Sequence, residues 1–114
     1  MPSQSQRLSR DGLQPETSRP APEKVVAGDP VHTTWPCESR GGLHCGLWQS
    51  TPGKWRVAYD EWEYLHILEG HSVLTDRNGV VTNLRPGDSH ILRPGFQGTW
   101  EVVETTLKDY VIRE

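Results

Sequence analysis

Sulfur is scarce in this sequence, with two cysteines and one methionine in 114 residues, and nothing in it approaches the roughly 18 apolar residues of a membrane helix. Each absence excludes something. Cys37 and Cys45 flank a Gly-Gly with no second pair, which excludes a disulfide framework and a four-cysteine zinc site and leaves two thiols as the expectation. No apolar run follows the basic residues near the N-terminus, so neither a secretory leader nor a membrane partner is expected, and the expected location is cytoplasmic. The chain also lacks a basic surplus, with 12 Lys and Arg against 15 Asp and Glu. No basic patch is interleaved with aromatics, which speaks against nucleic acid as a partner. A phosphate-cradling glycine loop, a Gly-x-Ser-x-Gly elbow and zinc-finger spacing are all missing.

The first 24 residues are poor in apolar side chains. Met1, Leu8, Leu13 and Ala21 stand alone among Ser, Gln, Arg and the prolines at 2, 15, 20 and 22. Such a stretch cannot bury enough surface to offset its ordering entropy, so residues 1–24 are expected to form a disordered tail and residues 25–114 one domain. The domain is net acidic, and its core must come from five Trp, three Tyr and the valines and leucines. A core this small gains from oligomerisation, and a homodimer is expected.

What is present reads as short strands. VHTTW lies between Pro30 and Pro36, which discourage helix. LHCGLWQS (43–50) follows the Gly-Gly, with a bulge expected at Gly46, and Thr51-Pro52-Gly53 marks a turn. From 54 to 59 the chain alternates, with Trp55, Val57 and Tyr59 on a core face and Lys54, Arg56 and Ala58 opposite. From Glu63 to Glu69 both faces are apolar: Leu65 and Ile67 on one, Tyr64, His66 and Leu68 on the other, so cover from N-terminal strands or a partner subunit is expected. HSVLTDR and VVTNL are joined by Asn78-Gly79, a hairpin signal whose favoured turn puts both residues at positive φ. Turns at Arg85-Pro86-Gly87-Asp88 and Arg93-Pro94-Gly95 then separate SHILR, GTWEVVET and LKDYVIR, with Asp88 expected to cap its turn. No window shows helical periodicity. Eight or nine strands with close, regular turns predict an all-β sandwich or barrel.

The run EYLHILEG (63–70), the Asn78-Gly79 hairpin and GDSHILRPGFQGTWEVVETTLKDYVI (87–112) resemble the single-domain cupins grouped with (S)-ureidoglycine aminohydrolase. The resemblance covers residues 48–112. It implies a double-stranded β-helix, or jelly-roll barrel, commonly dimeric, with a small-molecule pocket in its mouth. In the first motif of such cupins, Gly, five residues, His-x-His, three or four residues, Glu, six residues and Gly follow in order. Here Glu63 and Gly70 match, but the histidine positions fall on Val57 and Tyr59 in one register and on Tyr59 and Glu61 in the other. In the second motif Gly87 and Gly95 match, the proline is displaced to Pro94 and the ligand histidine falls on Gly98. Three of four usual metal ligands are missing, so no tightly bound metal is expected. A transition-metal cofactor would need Glu61, Glu63 and one of the unplaced histidines, His44 or His90.

The candidate ligand-binding residues are Tyr59, Glu61, Glu63, Trp100, Lys108 and Tyr110. A carboxylate at 63 that points inward has to be paired, hydrogen-bonded or neutralised. It is either a ligand-binding group or acid/base, or a relic of a metal site paired with Lys108 or a tyrosine hydroxyl. Lys108 and Tyr110 share a strand face, as do Gly98, Trp100 and Val102; the resemblance puts Lys108 and Tyr110 in the family's closing signature and Trp100 after the pocket rim. Trp62, beside Asp60-Glu61, is expected at the rim, and His66 on the face opposite Glu63. Three functions follow: a metal-free cupin binding a small polar metabolite; a hydrolase acting on a ureido or amino-acid-like substrate through a non-standard metal site; or an accessory homodimer whose surface is Tyr64, His66 and Leu68.

Overall fold

The computed structural model describes residues 3–114. Nine strands run in chain order: β1 (Glu16–Ser18), β2 (Val25–Gly28), β3 (His32–Arg40), β4 (Leu43–Ser50), β5 (Gly53–Ala58), β6 (Trp62–Asp76), β7 (Val81–Leu84), β8 (Ser89–Leu92) and β9 (Gln97–Arg113). Among the described residues the only helical turn is a 3-10 turn at Pro22–Lys24, and no helix is long and apolar enough to cross a membrane.

Two long strands organise the barrel. The 15-residue β6 and the 17-residue β9 pair antiparallel along their length, and each unites two segments that read as separate strands in sequence. The C-terminal half of β9 pairs with β4 on its other side. The N-terminal half pairs with β5. β6 likewise carries β8 on its first half and β7 on its second. One layer thus reads β8-β6-β9-β4-β3-β1 and the other β7-β6-β9-β5-β2, with β6 and β9 bending from one to the other.

The bend has a local cause. The β6–β9 register shifts three times between Ile67 and Ser72. Gly70 sits there at φ 88°, and a Cβ on it would lie 2.0 Å from the Thr105 carbonyl oxygen. No other residue fits that corner without moving the partner backbone.

Alternation within the strands builds the core: Trp55, Leu65, Ile67, Leu74, Leu84, Leu92, Trp100 and Val102 form one cluster between the layers. The opposite face of β6 is left open by the described residues: Leu68 is exposed, and Tyr64 and His66 are half-buried beside exposed Ile91 of β8.

Three expectations need correction. Of residues 1–24, expected as a disordered tail, 1–2 lie outside the described residues, whereas Glu16–Ser18 pairs with β3 and Pro20, Ala21 and Lys24 line the barrel cavity. Backbone pairing orders a segment whose side chains stay exposed, a contribution that composition does not register. At Asn78-Gly79 only Gly79 has positive φ (84°). Asp76 is the reason: its Oδ1 accepts from the amides of Asn78 at 2.8 Å and Val80 at 2.9 Å, closing a different turn. The bulge expected at Gly46 lies across from it in β3, between Pro36 and Glu38. Asp88 does cap its turn, accepting from the Arg85 amide at 2.8 Å.

Candidate functional site

Between the layers, at the end where β5 leads into β6, lies a cavity of about 610 Å³. Period-two alternation aims one face of each wall strand into it: His32 and Thr34 from β3, His44 and Trp48 from β4, Trp55 and Val57 from β5, Glu63 from β6, and Trp100, Lys108, Tyr110 and Ile112 from β9. Tyr59 follows β5, held by its own backbone: its amide donates to the Phe96 carbonyl at 2.9 Å, its carbonyl accepts from the Gly95 amide at 2.7 Å, and its ring stacks on Phe96.

At the centre, Lys108 Nζ donates to Glu63 Oε2 at 2.8 Å, and the residues are 6% and 5% exposed. The ammonium also sits 4.6 Å from the Trp48 ring centroid and 4.5 Å from that of Trp100. These are cation–π distances in a nearly dry setting, where such contacts are strong. Trp100 is fixed from behind. Its Nε1 donates to Ser72 Oγ at 3.1 Å, Ser72 shares a 2.7 Å hydrogen bond with Thr106 Oγ1, and both hydroxyl residues are fully buried.

His32 lies between Trp48 and Trp55, with ring centroids 5.1 and 4.6 Å away. Burial, and secondarily the Lys108 charge, lower its pKa to about 4, so the imidazole is neutral at pH 7. Its Nε2 is the one buried side-chain nitrogen or oxygen among the described residues without a hydrogen-bond partner. The Tyr59 phenol is pushed above its usual range by burial and then by Glu63. Tyr110 shifts the same way, with burial the largest cause. Both are neutral hydroxyls. Gly46 makes room for Tyr110, since a Cβ there would stand 3.0 Å from the hydroxyl and 2.3 Å from the Trp35 carbonyl oxygen.

The segment between β1 and β2 crosses from the edge of one layer to the edge of the other. Pro20, Ala21 and Lys24 thereby line the cavity, and Arg56 donates to the Glu23 carbonyl oxygen.

All six sequence-predicted residues, Tyr59, Glu61, Glu63, Trp100, Lys108 and Tyr110, line this cavity. Glu61 does so from the exposed turn between β5 and β6. Trp62 does not line the cavity. It begins β6 on the outward face, where His66 pairs with Asp109 at 3.4 Å. His32 and Trp48 were missed as site residues. Trp48 was legible only as an aromatic strand residue, and His32 stands in a short run whose facing is set by its pairing with Ser50. His44 lies at the edge of the cavity, its ring nitrogens bonded to Ser39 and Glu114.

A two-layer barrel bent through two shared strands, with a polar pair set among aromatics in its mouth, defines a cupin. Residues 38–110 match the EutQ-like cupin domain, and the chain belongs to that family. No curated protein matches it. Among solved structures, a protein of unknown function from Pseudomonas syringae pv. tomato str. DC3000 superposes with TM-score 0.79 at 25% identity, over 92% of this chain and 46% of its own. The Clostridium difficile EutQ protein gives TM-score 0.68 at 15% identity over 74% of this chain and 63% of its own. Ectoine synthase from P. lautus gives 0.66 at 13% identity, covering 72% and 63%. The chain therefore spans less than two thirds of the length of each of these relatives.

The residues present do not fit the metal that the cupin fold implies. Glu63 already neutralises an ammonium that would repel a divalent ion, Val57 and Tyr59 offer no imidazole, and no group of three His, Cys, Asp or Glu converges among the described residues. Gly98 cannot be restored as a ligand, because its Cβ would stand 2.0 Å from the Thr75 carbonyl oxygen.

Proposed function

We propose that this chain is a metal-free cupin that binds a small polar metabolite in the aromatic cavity above the Glu63–Lys108 pair. The buried pair itself carries the reading: a lysine occupies the place beside Glu63 that a metal would need, while the cavity around it keeps the volume and aromatic walls of a ligand site. The narrower resemblance to ureidoglycine aminohydrolase cupins brings a second reading, hydrolysis of a ureido or amino-acid-like substrate. That chemistry draws on a metal-activated water, for which this donor set offers too few ligands.

Two measurements test the first reading. Elemental analysis of untagged protein, before and after incubation with manganese, iron, nickel and zinc, is expected to give far less than one equivalent of each; a stoichiometric metal refutes it. A metabolite library read by tryptophan fluorescence is expected to yield a ligand whose affinity drops about ten-fold or more in Glu63→Gln. Unchanged affinity in that variant removes the pocket assignment.

A further inference from the structure

The cavity's charges and donors narrow the class of ligand, on the reading that it is a binding site. Of the three N–H donors of Lys108, one is given to Glu63, and the ammonium otherwise faces the rings of Trp48 and Trp100. Little of it is left for a carboxylate or phosphate. The other cations at the cavity, Lys24 and Arg56, are exposed at the mouth, and Arg56 is engaged by the Glu23 carbonyl. An anion would therefore lose its hydration without gaining a charged donor. A cationic ligand fares no better, because Lys108 already covers two of the ring faces that would receive it and would repel it at close range.

What remains is neutral and one-sided. Glu63 Oε2 is occupied, while Oε1 accepts no hydrogen bond among the described residues. Among the described residues the hydroxyls of Tyr59 and Tyr110 have no hydrogen-bond partner, and the uncharged His32 has an unpartnered buried nitrogen. Around them stand flat aromatic walls. We propose that the cavity selects an uncharged, planar ligand that donates an N–H to Glu63 Oε1, a carboxamide or a lactam-type nitrogen heterocycle, over anions and cations of the same shape.

Benzamide, benzamidinium and benzoate are near-isosteric and differ in charge, so they serve as probes. Titrations at pH 7, read by tryptophan fluorescence, are expected to rank benzamide about ten-fold or more above both ions. Lys108→Met, which uncovers the Glu63 charge, is expected to turn the preference to benzamidinium. Glu63→Gln/Lys108→Met, which carries neither charge, is expected to bind no ion better than wild type does, and it keeps the test decisive if the single variant fails to fold. Preference of the wild type for benzoate or benzamidinium overturns the ligand class and leaves the binding reading standing. Failure of all three probes to bind wild type and both variants removes the binding reading and this inference with it.

Discussion

Lys108 and Glu63 balance each other where water hardly reaches, and the two halves of that balance are not equivalent. Removing the lysine leaves a buried carboxylate without its counter-ion, whereas removing both charges leaves a cavity floor of similar shape. Lys108→Met is expected to lower the unfolding free energy by about 3–5 kcal/mol, with most of it recovered in Glu63→Gln/Lys108→Met, as read from urea denaturation. If the single and double variants are equally unstable, packing rather than charge holds the site. His32 makes a second prediction at this scale. Its pKa is depressed in the fold, so between the unfolded value of 6.5 and the folded value of about 4 the unfolded chain binds more protons than the native one. Stability from this residue is full above pH 6.5 and declines as pH falls through that window. The urea midpoint of His32→Gln is expected to fall less steeply than that of wild type between pH 6.5 and 5. Parallel profiles would mean that the imidazole is solvated.

At the scale of the element, β6 and β9 do what a sequence reading assigned to four separate strands. They stay continuous through the corner because Gly70 lets the backbone turn against Thr105, and they carry Glu63 and Lys108 from the same paired halves. The position where the family resemblance would place a metal ligand, Gly98, is a close-approach point between β9 and β6 rather than an open ledge. Gly98→His is therefore expected to destabilise the protein without binding zinc or nickel, measured by thermal melts with and without metal. A melting temperature raised by metal would show that the site tolerates a ligand there.

For the whole molecule, the outward face of β6 is the unfinished part. Tyr64 is flanked by Ile91 on β8 and Val111 on β9, forming a partly apolar row across three strands that the described residues leave open. We propose a homodimer through this face. Sedimentation at micromolar concentration is expected to give twice the 12.9 kDa chain mass, and Tyr64→Glu is expected to give the monomer. A wild-type monomer at that concentration rules out an interface of standard size.

Much of this was legible in the residues in order. Alternation in 54–59 and in the last strand set Trp55, Tyr59, Lys108 and Tyr110 on the inner face, because side-chain direction in a strand follows from period two alone. The turns at Gly79, Gly87 and Gly95 were legible because few residues tolerate their backbone angles, and the departure from the metal motif was visible as missing histidines. The convergence was not legible. Whether Lys108 reaches Glu63, whether His32 lies between two tryptophans and whether residues 19–24 cross the cavity mouth depend on strand pairing between distant positions. Local sequence fixes which way a side chain faces, but only the packing of one layer on the other decides what it faces.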